Sequence, residues 1–248
     1  MMRFVENPNL PRGKVSSVIC GELCDELNDY LDNLGIERLV IESNNFIDPA
    51  VRLHADMAVL HVGGNRIIVD KNQTTLIEKL RRRKFIVIET ENEIAGEYPE
   101  DIALNFTIIG NKVLGNFSYA DRMLIHNIVD EQHINVRQGY CKCSCLVVDD
   151  NALITDDKSI YDKAIANEID CLLISKGDIK LVGHEYGFIG GASCKLSGNE
   201  ILFFGDITKH RDYKKIADFI DKYGCKIISL DFPFTDFGGI IPIIEETP

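Results

Sequence analysis

Gln138-Gly139-Tyr140-Cys141-Lys142-Cys143-Ser144-Cys145-Leu146-Val147-Val148-Asp149-Asp150-Asn151-Ala152-Leu153-Ile154-Thr155 sets thiols at every second position, then an apolar run, a polar turn and a second apolar run. A strand alternates its faces with period two. The expectation is a strand over 143–148, with Cys141, Cys143 and Cys145 on one side and Lys142 and Ser144 on the other. Polar groups on both faces at the head of an apolar strand put that end at the border of a cavity. The turn at 149–151 makes the two runs a hairpin. A helix near 159–167 and a strand over 171–175 complete a unit.

The same order recurs along the chain. Residues 58–62, the turn Gly63-Gly64-Asn65, residues 67–69, a helix over 75–83 and a strand over 85–89 make one copy. Residues 103–109, Gly110-Asn111, 113–114, a helix near 119–130 and a strand over 133–136 make another. A further copy runs from 192–196 through Ser197-Gly198-Asn199, 201–204 and a helix over 213–222 to a strand over 226–230. Asn65, Asn111, Asn151 and Asn199 all fall at the turn. The amino end carries a shortened copy: strand 15–20, helix 22–34 and strand 39–41. Residues 236–244 read as one last strand with no helix after it.

Copies spaced by roughly 40–55 residues signal a repeat architecture. Five ββαβ units, the last strand completing the first, describe an α/β fold with five-fold pseudosymmetry, an α/β-propeller occupying residues 1–248 as one domain. A doubly wound sheet would place single strands between helices, with a glycine-rich turn after the first strand. Gly21 stands alone there, and the hairpins recur.

Composition narrows the function classes. A net charge of -12 argues against nucleic acid as a partner, since phosphate contacts need clustered Lys and Arg. The one basic run, Arg81-Arg82-Arg83-Lys84, closes an expected helix, where cations suit the dipole. No apolar run approaches the ~20 residues of a membrane span, and the amino terminus lacks a secretory core. The expectation is a cytoplasmic chain with no membrane association. Eight cysteines scattered through apolar runs read as free thiols rather than a disulfide framework.

Leu53-His54-Ala55-Asp56-Met57, Gln138–Ser144, Gly187-Phe188-Ile189-Gly190-Gly191-Ala192-Ser193 and Phe204-Gly205-Asp206 carry a resemblance that spans most of the chain. The sequence resembles an uncharacterised family of the guanidine-modifying-enzyme superfamily, the penteins. The resemblance implies an α/β-propeller in which the leading strand of each unit lines a central channel. It also implies a chemistry: a cysteine thiolate attacks a guanidinium carbon, a histidine serves as acid and base, and carboxylates hold the cation. The types suit the task. Thiolates form beside cations or imidazolium, histidine titrates near neutrality, and carboxylates grip a planar guanidinium in bidentate fashion.

Reading the polar residues at the leading strands gives His54 and Asp56, then Asn105, then Lys142, Cys143 and Ser144, then Ser193 and Cys194, and finally Asp236. His184 and Glu185, in the loop 183–191, are expected over the mouth. Cys143 is the candidate nucleophile, His54 the acid and base, Asp56 with Asp236 the cation clamp, and Asn105 a positioning group. In the superfamily's enzymes the nucleophile follows a glycine-rich turn near the C-terminus. Gly238-Gly239-Ile240-Ile241-Pro242 has no cysteine there. Either the nucleophile has moved to Cys143 (or Cys194), or the thiol chemistry is gone and the chain binds a small cation or a protein partner without turnover. Cys143 as a buried inert thiol stands beside the first reading. No cofactor is expected, because phosphate loop, nucleophile elbow and metalloprotease helix are all missing. Zinc is not expected either, since alternate residues on a straight strand lie ~6–7 Å apart. The expected ligand is a small guanidino or amine compound.

Overall fold

Each apolar–turn–apolar stretch folds as an antiparallel hairpin, and the strand that follows the helix joins it in parallel; the computed structural model describes residues 1–247. The chain opens with β1 (Met2–Phe4), β2 (Val15–Cys20), α1 (Asp25–Asn33) and β3 (Glu37–Val40). Next come α2 (Ala55–Ala58), β4 (Val59–Gly63), β5 (Arg66–Val69), α3 (Thr74–Arg82) and β6 (Ile86–Glu89). The third unit holds β7 (Thr107–Ile109), β8 (Lys112–Gly115), α4 (Arg122–Asn127) and β9 (Gln132–Asn135). The fourth holds β10 (Cys145–Asp149), β11 (Ala152–Thr155), α5 (Lys158–Ala166) and β12 (Asp170–Leu173). The fifth holds β13 (Ser193–Ser197), β14 (Glu200–Phe203), α6 (Tyr213–Lys222) and β15 (Lys226–Ser229), and β16 (Ile240–Glu246) ends the chain.

Five small sheets result: β4-β5-β6, β7-β8-β9, β10-β11-β12, β13-β14-β15 and β1-β16-β2-β3. β16 runs antiparallel to β2, and β3 lies parallel on β2's other side. The C-terminal strand thus occupies the leading position of the first unit. β1, which the sequence pattern did not announce, pairs with the outer edge of β16.

The recurring asparagine has a structural task. The backbone carbonyls of Asn65, Asn111, Asn151 and Asn199 accept from the N–H of Ile86, Gln132, Asp170 and Lys226 at 2.7, 2.8, 3.0 and 2.8 Å. Each acceptor sits in a hairpin turn, and each donor begins the parallel strand. One residue per unit therefore closes the hairpin and sets where the third strand starts.

The strands are apolar on both faces because each sheet supplies two cores. On β10, Leu146 and Val148 pack toward the fifth unit, whereas Cys145 and Val147 pack toward the third. On β14, Ile201 and Phe203 face the fourth unit and Leu202 faces the first. Five hydrophobic clusters arise, each shared by two successive units, and the fifth joins the last unit to the first. Burying one such Leu, Ile or Phe contributes about 1.5–3 kcal/mol, so each unit depends on its neighbours for most of its stability.

The helices cover these clusters with narrow stripes: Leu27 and Leu31 on α1, Leu76, Ile77 and Leu80 on α3, Ile216 and Ile220 on α6. The basic run after α3 forms surface ion pairs, Arg81 with Glu89 at 2.6 Å, Arg82 with Glu78 at 3.2 Å, and Arg83 with Glu37. Among the described residues no helix is long and apolar enough to cross a membrane.

Local expectations are overturned at several unit starts: Asn105 and Asp236 precede β7 and β16 rather than lying on them, and two further cases concern the cysteines and His54. Residues 141–144 form a turn, not the start of a strand, so period-two alternation does not apply to the three cysteines. The Asn105 side-chain oxygen takes the Lys142 and Cys143 N–H groups at 2.7 and 3.3 Å, diverting them from any ladder. In consequence Cys141 and Cys145 enter one core while Cys143 faces another. Likewise His54 and Asp56 are not on a strand. His54 immediately precedes the short α2 without a side-chain capping bond, and the backbone enters β4 only at Val59.

Candidate active site

His54, Cys143 and Asp236 line one cavity of about 220 Å³, walled by Val51, Tyr140, Leu181, Tyr186 and Phe188 and rimmed by His184 and Glu185. Three segments far apart in sequence meet here, and glycines allow the approach. A Cβ on Gly191 would lie 2.0 Å from Asp236 Oδ1, and one on Gly238 would lie 2.2 Å from His54 Cβ. Gly238 also holds φ at +77°, a conformation that favours glycine. The Gly191 N–H donates to the Cys143 carbonyl at 3.0 Å, and its own carbonyl accepts from Gly239 at 2.9 Å. The loop 187–191 is the strap that ties the Cys143 turn to the C-terminal segment.

Each side chain is held differently. Asp236 accepts the Phe188 N–H at 2.9 Å and the Gly238 N–H at 2.8 Å, and lies 3.9 Å from His54 Nδ1. That nitrogen has no hydrogen-bond partner, although the histidine is only 6% exposed. Cys143, 2% exposed, receives an N–H from Asn105 Nδ2 at 3.1 Å. The same amide group donates to the Asp56 carbonyl at 3.1 Å, so Asn105 staples α2 to the cysteine turn. Asp56 is fully buried with both carboxylate oxygens unpartnered.

Electrostatics set the protonation states. Burial, then the proximity of Asp236, pushes the Asp56 carboxyl up to about 6, opposed by His54 and Lys142. Burial first, then Asp56 and Asp236, pushes the Cys143 thiol well above the ordinary range; Asn105 alone among its close neighbours works the other way. The site is an acidic hollow around a buried thiol, with Asp56 and Asp236 the strongest charges acting on the sulfur.

The remaining candidates separate. Asn105 lies behind Cys143 rather than in the cavity, and Glu185 stands exposed on the rim. Lys142, Ser193 and Cys194 border a different hollow of only about 10 Å³, with Lys195 and Pro242. There Ser193 Oγ donates to the Ile189 carbonyl at 2.6 Å, and burial holds the Cys194 thiol protonated. Ser144 is buried with its hydroxyl unpartnered and borders neither hollow. Lys142 nonetheless acts across the partition, its charge favouring the ionised forms of both Asp56 and Cys194. Among the described residues no three His, Cys, Asp or Glu side chains are grouped to hold a metal ion.

The aromatic wall was not foreseen. Tyr140 donates its hydroxyl to Asp101, a fully buried carboxylate, at 2.9 Å, and its ring lies 6.3 Å from that of Phe188. Tyr140 stands in the stretch that opens the cysteine turn and was within reach of a sequence reading. Asp101 carries no such signal, because it sits in an irregular segment before β7. His184 hydrogen-bonds Asp48 across the mouth at 3.1 Å.

Solved structures share this architecture along nearly their whole length. An amidinotransferase of saxitoxin biosynthesis from Microseira wollei, SxtG, superposes with a TM-score of 0.62 at 14% identity, covering 98% of each chain. A Campylobacter jejuni agmatine deiminase with substrate bound gives 0.58 at 10% identity, over 98% of this chain and 96% of that one. A Pseudomonas aeruginosa DDAH in complex with citrulline gives 0.55 at 12% identity, over 88% and 92%. The chain shares the pentein fold of these proteins. The chain belongs to the family of unknown function DUF6873, whose profile matches residues 18–241. No curated protein matches the sequence.

Proposed function

We propose that this protein is a cysteine-dependent hydrolase or transferase acting on a small guanidino or amidino compound. In this reading residues 1–248 are one domain whose five units close as an α/β-propeller around the cavity. The observation that carries it is the convergence of Cys143, His54 and Asp236 on one cavity, with the unpartnered Asp56 carboxylate behind it.

The chemistry follows from the charges. A guanidinium entering the hollow supplies the cation that the thiol lacks, drawing the Cys143 pKa down at the moment of binding. Asp236 holds one edge of the planar cation. The thiol proton passes to Asp56, which is poised at about 6 to accept it. The sulfur forms a bond to the guanidinium carbon, and the C=N electron pair moves onto nitrogen. The C–N bond to the departing amine then breaks, and that amine leaves with a proton from His54. The resulting amidino-thioether is attacked by water, giving a urea, or by a second amine, giving a new guanidine. His54 takes the attacker's proton, and the C–S bond breaks to restore the thiolate.

The test is mass spectrometry of the chain after acid quench during incubation with small guanidines and amidines. An amidino adduct on the peptide containing Cys143, absent in Cys143→Ala, is expected. A second reading, in which the same hollow binds a cation without turnover, is favoured by the upward-shifted thiol and by the absence of cysteine at 238–242. Saturable binding of a guanidine with no adduct and no product selects that reading.

A further inference from the structure

We infer that the compound taken by this cavity bears no carboxylate and carries a second positive charge at the end remote from the guanidinium, as an aminoalkylguanidine does. The inference rests on the guanidino reading above and adds the chemistry of the ligand's other end.

Beyond His54, Cys143 and Asp236, the cavity is lined by Val51, Leu181 and the aromatic residues Tyr140, Tyr186 and Phe188; its rim carries Glu185 and His184, the latter hydrogen-bonded to Asp48 at 3.1 Å. A neighbouring hollow of about 380 Å³ shares His54, Leu181 and Asp236 with it and adds Glu22, Pro49 and Phe237. Among the described residues, neither lining contains a lysine or an arginine. Lys176 stands 5.6 Å from the centre of the Tyr186 ring and 4.0 Å from Asp157, so its charge is shared with another carboxylate. Arg52 is exposed and lines neither hollow.

A carboxylate in such a place would lose its water and find Glu185 for company, with no fork of guanidinium donors to receive it. An ammonium meets the opposite conditions. Aromatic faces attract cations, and Glu185 offers a counter-charge at the rim. The unpartnered His54 Nδ1, buried in the cavity wall, marks the inner end as built for a ligand group. Acid at both ends and aromatic rings between them match a short chain with a cation at each end.

Four ligands of matched length separate the possibilities: agmatine with an ammonium tail, butylguanidine with a neutral one, 4-guanidinobutanoate with an anionic one, and L-arginine. Titration calorimetry on Cys143→Ser isolates binding from chemistry, and thermal shift of the unaltered chain checks that variant. Agmatine is expected to bind at least about tenfold more tightly than 4-guanidinobutanoate. Glu185→Gln should remove agmatine's advantage over butylguanidine and leave butylguanidine itself unchanged. Equal or tighter binding of L-arginine or 4-guanidinobutanoate overturns the inference while leaving the guanidino reading intact. Failure of all four to bind overturns the guanidino reading, and the inference goes with it.

Discussion

Cys143 and Cys194 come from leading segments of adjacent units, yet they meet opposite surroundings. Around Cys143 lie a cavity of about 220 Å³, an unpartnered carboxylate and an unpartnered imidazole nitrogen. Around Cys194 lie about 10 Å³ of space, a serine bonded to a carbonyl, and Lys195, whose Nζ donates to the Val148 carbonyl at 2.9 Å. Ser193 and Lys195 at the second hollow are hydrogen-bonded, which offsets the cost of burying them. At the first, His54 Nδ1 and the Asp56 carboxylate are left open, which is tolerable at a functional site and expensive elsewhere. The same residue types become chemistry or packing according to whether the surrounding backbone finishes their hydrogen bonds.

The largest expected contrast is in turnover. Cys143→Ala should abolish adduct formation and lower any guanidine turnover on the order of 10⁴-fold or more, whereas Cys194→Ala should leave both near their original values. Equal losses from the two substitutions would erase the distinction between the hollows.

Asp56 gives the next effect. Its folded-state carboxyl is raised above the ordinary 3.8 to about 6, so between those values the folded chain binds more protons than the unfolded one. Stability therefore falls as pH rises through that window and levels off above it, where the buried charge costs on the order of 3 kcal/mol. Asp156, raised to about 7 mainly by burial, extends the same trend upward. Asp56→Asn should accordingly raise the urea midpoint at about pH 8, lose that gain below about pH 4, and weaken guanidine binding throughout. A gain that persists in acid would mean that packing, not ionisation, is responsible.

A steric effect comes third. Gly191→Ala drives a methyl into the Asp236 carboxylate and should cost about 1–3 kcal/mol in equilibrium unfolding, with a loss of ligand binding as the strap shifts. Smallest is Ser193→Ala in the packed hollow. Removing its hydroxyl from the Ile189 carbonyl should cost about 1 kcal/mol and leave ligand affinity untouched.

The repeat was legible because hydrophobic period and turn chemistry are local. The apolar pairs flanking Asn65, Asn111, Asn151 and Asn199 became hairpins, and the strand at 240–246 completed the first unit's sheet. The members of the site were legible as residue types at unit starts, and His54, Cys143 and Asp236 do meet. Their arrangement was not. Alternation along 141–145 fails because Asn105, 38 residues before Cys143, captures the N–H groups that a strand would have used. Nothing near Cys143 in sequence reveals that contact. Lys142 and Cys194, similar in type to the site residues, border the other hollow.

Read alone, the chain's own order decided the units, their turns, the sheet completed from the C-terminus and the stock of thiol, imidazole and carboxylate groups. These depend on neighbours within a few positions, where steric and hydrogen-bonding preferences act directly. Only the tertiary structure decided which thiol faces a cavity, that Asp56 is left without a partner, and that burial, joined by two carboxylates, pushes that thiol's pKa up. Burial and field are sums over groups brought together from the whole chain, and no local pattern carries them.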